Sequence, residues 1–241
     1  MRVDVAFTPA ALPPAELAGA TALVIDVLRA STTIVTALAH GCLEVLPVAE
    51  VDEARRRARG LSGALLAGER GGDPPAGFDL GNSPLEFTRA RVAARTIVFT
   101  TSNGTRALLA ARPAAAVGVA GFVNLSAAAD WALGQQRDLV VVCAGELGAR
   151  ALEDETCAGL LVDRVLAVEP GAVATAAATA AVAGARPYAK DLARLAHDAP
   201  HARHLAAHGR GADVGACLAL DTFVLVPTYR TDVDKVVSPY R

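Results

Sequence analysis

The 241-residue chain is poor in aromatic residues, at 4%, with one Trp and one Met, so its core must be built from Ala, Val, Leu and Ile. It has no excess of either charge: 25 acidic residues face 23 basic ones, for a net charge of −2. A dedicated nucleic-acid binder shows a basic surplus and clustered basic and aromatic residues, and neither is present here. Lysine is nearly missing, with only two among the 23 basic residues. That bias, like the abundance of alanine, is what a GC-rich coding sequence produces, so no surface arginine is read as functional merely for being arginine. Uncharged runs are short as well. The longest, Pro113 to Ala129 and Pro170 to Ala185, fall below the roughly 20 strongly apolar residues of a membrane span. The opening stretch carries Asp4 and several prolines where a signal peptide needs an apolar core, so the expectation is a soluble, cytoplasmic protein. Cys42, Cys143, Cys157 and Cys217 stand far apart with no CxxC pair. They read as small buried residues rather than as zinc ligands or a disulfide framework.

What is present is a globular composition, 53% apolar, which excludes disorder. Over the first 145 residues, short β-branched runs alternate with helical stretches. The pattern predicts strands at Val3–Phe7, Ala22–Asp26, Glu44–Val48, Ala64–Ala67, Thr96–Thr100, Ala115–Val119 and Asp138–Cys143. Several are apolar nearly throughout, as strands buried on both faces should be. Helices are expected at Ala30–His40, Val51–Gly60, Pro84–Val92, Gly104–Ala111 and Ser126–Gln135. This rhythm predicts an α/β fold with a mainly parallel, mixed sheet flanked by helices. From Glu153 to about Gly211 the pattern turns helical, and strands return at Thr222–Val226 and Lys235–Val237. The whole reads as a single domain over 1–241, with 150–211 a candidate helical sub-lobe.

In open α/β sheets, ligands gather at the carboxyl ends of strands, and several polar segments fall there. In VIDVLRASTTIV, Asp26 ends a buried strand and Arg29 follows one turn later. Asp26 is a candidate magnesium ligand or nucleophile and Arg29 an anion clamp; the structural alternative is a helix cap with an ion pair. A haloacid-dehalogenase-type phosphatase would need a second Asp two residues on, where Leu28 stands. In AGERGGDPP, Glu69 and Arg70 sit among glycines that let backbone approach a ligand. In FDLGNSPLEF, Ser83, Pro84 and Glu86 fit a capping box at a helix start, leaving Asp79 and Asn82 unexplained. In IVFTTSNGTRALL, Thr101, Ser102, Asn103, Gly104 and Thr105 crowd a strand-to-helix junction, with Arg106 in the first helical turn. Such a junction can hold an anion, although the spacing is not that of a P-loop. In VVVCAGELGARALEDETCAG, Glu146 and Arg150 lie in a glycine-flanked loop before the acidic trio Glu153, Asp154 and Glu155, which suits a helix start. His201, His204 and His208 can share a helix face, but no acidic neighbour in the sequence supports a metal cluster. Asp221 is either a cap or a site residue.

Taken in order, VIDVLRASTTIVTAL, GERGG, FDLGNSPLEF, TTSNGTRAL, CAGELG…LEDETCAG and the tail from His201 to Pro227 resemble the 2-phosphosulfolactate phosphatase (ComB) family over about 200 residues. Ser102, Ala151 and Ala202 depart from its pattern, standing where Thr, Ser and Gly are common. The resemblance implies a ComB-like fold and a Mg²⁺-dependent phosphatase that converts 2-phospho-3-sulfolactate to 3-sulfolactate and phosphate, a step of coenzyme M synthesis. On that reading Asp26, Arg29, Glu69, Arg70 and Arg106 are the catalytic candidates. Asn82, Ser102, Asn103, Gly104, Thr105, Glu146 and Arg150 would bind substrate, and Asp26, Glu69 and Asp154 supply the oxygen donors Mg²⁺ prefers. The expected partner is a small anionic phosphoester, not nucleic acid or a membrane, with homo-oligomerisation left open. Two alternatives remain at this point: a phosphatase of another small phosphorylated hydroxy acid, and a non-catalytic anion or nucleotide sensor using the Thr101–Arg106 junction.

Overall fold

The computed structural model describes residues 1–12 and 14–239, Pro14 in its backbone only. Ten strands form one sheet: β1 Arg2–Ala6, β2 Thr21–Ile25, β3 Glu44–Pro47, β4 Leu65–Gly68, β5 Thr96–Thr100, β6 Ala116–Ala120, β7 Leu139–Cys143, β8 Val173–Ala174, β9 Thr228–Arg230 and β10 Lys235–Val237. The helices of the first part are α1 Pro14–Leu17, α2 Ala30–Ala39, α3 Val51–Arg59, α4 Arg89–Val92, α5 Gly104–Ala110 and α6 Leu125–Gly134. The later ones are α7 Leu152–Val168, α8 Ala176–Ala185, α9 Leu192–Asp198, α10 Pro200–Leu205 and α11 Gly211–Cys217. Among the described residues no helix is long and apolar enough to cross a membrane.

The strand order is β4-β5-β3-β10-β9-β6-β2-β7-β1-β8. Pairings are parallel except those of the β9–β10 hairpin, which joins a β4-β5-β3 block to a β6-β2-β7-β1-β8 block. The predicted mixed, mainly parallel sheet is thus observed. Strands β2 and β7 are buried along their whole length because helices cover both faces. Side-chain alternation along each strand sorts the core. Leu23, Ile25, Val141 and Cys143 pack with α6, α7 and α8 on one face, and Ala22, Val24, Val140 and Val142 with α2 and α5 on the other. The later helices share that first core, since Leu161, Ala178, Leu195 and Val214 pack in the same cluster as Val3 and Leu23. All four cysteines are buried.

Three expectations need correction. Thr222–Val226 is not a strand. Its backbone is satisfied from a 3₁₀ turn and a side chain: Phe223 N donates to Val123 O at 2.8 Å, and Asn124 Nδ2 donates to Leu225 O at 3.0 Å. No neighbouring strand ladder forms there, and the strand begins only after Pro227, at Thr228. The single helix expected over Pro84–Val92 is a 3₁₀ turn, Pro84–Glu86, then α4, because Phe87 leaves helical geometry (φ −87°, ψ 52°) as its side chain is buried. Ser83 makes no side-chain cap there; its hydroxyl donates to Asp213 Oδ1 at 2.6 Å instead. Asp221 is a cap, accepting from Ser126 N at 2.7 Å and Ser126 Oγ at 2.6 Å at the start of α6.

Candidate functional site

Although β4 and β2 stand six places apart in the sheet, their carboxyl ends reach the same cavity of about 730 Å³. β2 delivers Asp26, β4 Glu69, β5 Ser102 and Asn103, and β7 Glu146. Glu153 enters from the start of α7, and His201, His204, His208 and Arg210 from the chain between α10 and α11 and from α10 itself.

The carboxylates are held from several sides. Asp26 Oδ1 accepts from Ala30 N at 3.1 Å, so the helix-cap reading is correct in part, while Oδ2 faces Gly104. A Cβ at residue 104 would lie 2.5 Å from both Asp26 Oδ2 and Ala30 Cβ, which explains the glycine. Glu69 Oε1 accepts from Ser102 N at 2.7 Å, and Oε2 from Gly72 N at 2.9 Å and Ser102 Oγ at 3.2 Å. The glycine loop and the β5 junction therefore order this carboxylate, leaving Oε1 with a free lone pair. Glu146 Oε2 accepts from Asn103 Nδ2 at 2.9 Å, and Oε1 lies 3.6 Å from His201 Nδ1.

Burial sets the electrostatics. Asp26 is pushed up to about 7, first by burial and then by the carboxylates of Glu69, Glu146 and Glu153, against its bond from Ala30. Glu153 is likewise pushed up to about 7, by burial above all. Burial lowers His201 despite Glu146 beside it. Two buried oxygens on the cavity wall have no hydrogen-bond partner: Glu153 Oε2 and Asn82 Oδ1. Such orphaned acceptors are uncommon in folded proteins and mark strain or a ligand.

Of the residues singled out from the sequence, Asp26, Arg29, Glu69, Asn82, Ser102, Asn103, Glu146 and Arg150 line this cavity. Arg70, Gly104, Thr105, Arg106 and Asp154 do not. Arg70 straps backbone together, donating to Glu69 O at 2.7 Å, Ala49 O at 2.6 Å and Thr100 Oγ1 at 2.8 Å. Thr105 and Thr101 bond to each other, Thr105 N to Thr101 Oγ1 and Thr101 N to Thr105 Oγ1, both at 3.1 Å. Arg106 points to the surface and pairs with Glu50 at 2.8 Å. Asp154 lies behind the wall. Its oxygens accept from Val27 N at 2.8 Å and Gly145 N at 3.0 Å, tying the β2 loop to the β7 loop. Burial, then Asp26 and Glu153, push its carboxyl well above the usual range.

Of the acidic trio Glu153, Asp154 and Glu155, it is Glu153 and not the expected Asp154 that lines the cavity, and Asp213 and the histidines were not among the expected site residues. Glu153 and Asp154 share one acidic first turn, and neighbours on a helix point about 100° apart, so only the docking of α7 decides which faces inward. Asp213 Oδ2 accepts from Arg29 Nη1 at 2.7 Å, with both side chains nearly inaccessible, and Arg29 Nη2 donates to Gly72 O at 3.0 Å. That pairing joins α11 to the β2 loop, a contact no local pattern encodes. His201 gains an acidic neighbour, Glu146, from a distant loop. Among the described residues no three His, Cys, Asp or Glu side chains converge as a ready-made metal cluster.

A family model described as 2-phosphosulpholactate phosphatase matches residues 6–232. A probable 2-phosphosulfolactate phosphatase of Thermotoga petrophila is 40% identical over 228 residues, 94% of each chain. One of Gloeobacter violaceus is 39% identical over 230 residues, again 94% of each, and one of Clostridium novyi is 33% identical over 95% of this chain and 97% of its own. The chain belongs to the 2-phosphosulfolactate phosphatase family, a family of phosphoric monoester hydrolases.

Proposed function

We propose that the protein hydrolyses 2-phospho-3-sulfolactate to 3-sulfolactate and phosphate in the cytoplasm, with Mg²⁺ held by Glu69, Glu153 and Asn82. The observation that carries this reading is the pair of buried, unpartnered oxygens, Glu153 Oε2 and Asn82 Oδ1, on the wall that also presents Asp26 and Glu69. The donor set fits a magnesium ion, which takes oxygen ligands, few of them carboxylates, and shares the rest with water and substrate phosphate. Glu153 replaces Asp154 as the acidic ligand, because Glu153 lines the cavity and Asp154 does not, its oxygens tying the β2 loop to the β7 loop behind the wall.

Charge supports the same conclusion. Five carboxylates line the cavity (Asp26, Glu69, Asp73, Glu146 and Glu153), against the three guanidinium groups of Arg29, Arg150 and Arg210. Those three are themselves paired, with Asp213, Glu155 and Asp73. Arg70 and Arg106 lie elsewhere, so arginines alone do not balance an ester bearing phosphate, carboxylate and sulfonate. Such an anion enters a carboxylate-lined cavity together with a cation that offsets the charge. When bound, the ion neutralises phosphate oxygens and lowers the pKa of a water molecule.

The chain's own residues supply the rest. Asp26, poised near neutrality, takes a proton from the attacking water as the new oxygen–phosphorus bond forms. The ester P–O bond breaks, its electron pair leaves on the C2 oxygen, and that oxygen takes a proton from solvent to become the hydroxyl of the product. Arg29, fixed by Asp213 and Gly72, directs its remaining N–H groups at the phosphoryl oxygens. Asn103 and Ser102 hold Glu146 and Glu69 in place. The sensor alternative loses its support, because the Thr101–Thr105 pair is closed on itself and Arg106 faces solvent. Purified protein with Mg²⁺ should release phosphate from 2-phospho-3-sulfolactate faster than from other small phosphorylated hydroxy acids. Failure to turn over any of them would overturn the reading, and a preference for another ester would move the substrate while keeping the chemistry.

A further inference from the structure

Two parts of the chain line the cavity. The loops after β2 and β4 and the start of α7 bring the buried carboxylates Asp26, Glu69 and Glu153, and the C-terminal helices bring His204, His208 and Arg210. We propose that His204 and Arg210 seat the non-reacting sulfonate end of the substrate, and so set a preference for phosphoesters that carry a second strong acid group. This rests on the reaction proposed above and assigns its specificity.

The local backbone is built for this convergence. His204 and His208 are four residues apart and so share a helix face. On a continuous helix Arg210 would point about 200° away from His208, to the far side. Instead the helix breaks at His208 (φ −99°, ψ 25°) and Gly209 (φ 77°), a left-handed turn suited to glycine. The break returns Arg210 to the cavity that the histidines line. The imidazoles lie against one another: the His204 and His208 rings are 4.2 Å apart and tilted by 38°, and His201 lies nearly parallel to His204 at 6.3 Å. His208 Nδ1 donates to His204 O at 2.7 Å, which fixes the ring backing His204. Arg210 packs on the glycine loop, with its Nη1 3.8 Å from where a Cβ of residue 72 would stand.

Arg210 is held by Asp73, whose side chain is 75% exposed. An exposed carboxylate is a weak partner. A sulfonate, ionised at every working pH and carrying three acceptor oxygens, can replace it on the guanidinium. Asp73 is therefore a competitor of the ligand, and its removal should have the opposite sign to removal of Arg210.

The test is calorimetric binding of the product 3-sulfolactate and of lactate, which lacks the sulfonate, to the Mg²⁺-loaded protein and to Arg210→Ala, His204→Ala and Asp73→Asn variants. Arg210→Ala should weaken 3-sulfolactate binding about tenfold or more, and His204→Ala severalfold, while Asp73→Asn should tighten it severalfold. Lactate binding should change by less than about twofold in each. Equal effects on both ligands, or weakening by Asp73→Asn as well, would overturn the assignment and leave these residues with a merely structural role. Binding is read without turnover. A protein that discriminates 3-sulfolactate in this pattern yet hydrolyses no phosphoester would therefore refute the proposed reaction and keep the subsite, whereas turnover without discrimination would do the reverse.

Discussion

The two ends of the cavity are made by different rules. At the carboxylate end each group sits in the turn after a parallel strand or at the first turn of a helix, where the fold always exposes a few backbone N–H groups and polar side chains. At the histidine end the groups come from one late stretch of chain whose members meet only because a helix breaks at Gly209. The first end is stiff, with its carboxylates bonded to backbone of neighbouring loops. The second is more exposed and held by contact between tilted imidazole rings and by pairing with Asp73. The difference separates chemistry, which needs fixed geometry, from selectivity, which a weaker and adjustable wall can supply.

The largest effect should come from the carboxylate end. Glu153→Gln should cut phosphate release by about 10³-fold, the scale expected for losing a group that stabilises transition-state charge. The same substitution should not unfold the protein, because it removes a buried charge one of whose oxygens lacks a hydrogen-bond partner. A thermal melt beside the phosphate assay separates the two outcomes. Loss of both activity and folding would make Glu153 structural.

The next effect concerns the link between the two ends. Asp213→Ala leaves the buried Arg29 guanidinium without its partner and should cost about 3–5 kcal/mol by denaturant unfolding. Asp213→Asn keeps the shape and one acceptor and should cost less, while still lowering turnover because Arg29 loses the opposite charge that anchors it. Identical behaviour of the two variants would show that charge does not matter there.

A smaller effect follows from pH. In the metal-free protein Asp26 and Glu153 titrate near 7, against ordinary values of 3.8 and 4.5 in the unfolded chain. Between those limits the native state binds more protons than the unfolded one, so their contribution to stability is full below about pH 4, falls as pH rises, and levels off above about pH 7. Melting in EDTA at pH 5 and pH 8 should show this decline in the wild type and much less of it in an Asp26→Asn, Glu153→Gln double variant. Equal slopes would mean that these groups are not perturbed. The smallest effect is that of Arg106→Ala, which should leave turnover within about twofold, because an exposed pair with Glu50 contributes little.

How much of this the sequence discloses follows the same division. The sheet is legible because β2 and β7 are apolar throughout and alternate with helical stretches, and Asp26, Glu69, Asn103 and Glu146 are legible because each ends a strand. Illegible were the facts that depend on docking. Local spacing does not tell Glu153 from Asp154, or show that Arg106 turns outward to Glu50. It does not reveal that Ser83 leaves its helix start for Asp213. The supposed strand at Thr222–Val226 misled because β-branched composition cannot report that Asn124 would take its carbonyl. Nor does local sequence show that Glu146, from another loop, lies beside His201.

Everything functional here depends on a carboxylate-rich cavity admitting a polyanionic ester with the help of a divalent cation. The direct measurement is the rate of phosphate release from 2-phospho-3-sulfolactate at neutral pH as Mg²⁺ is titrated into EDTA-treated protein. A rate near zero without the ion that rises to saturation with it is the predicted result. Undiminished release in EDTA would contradict the account.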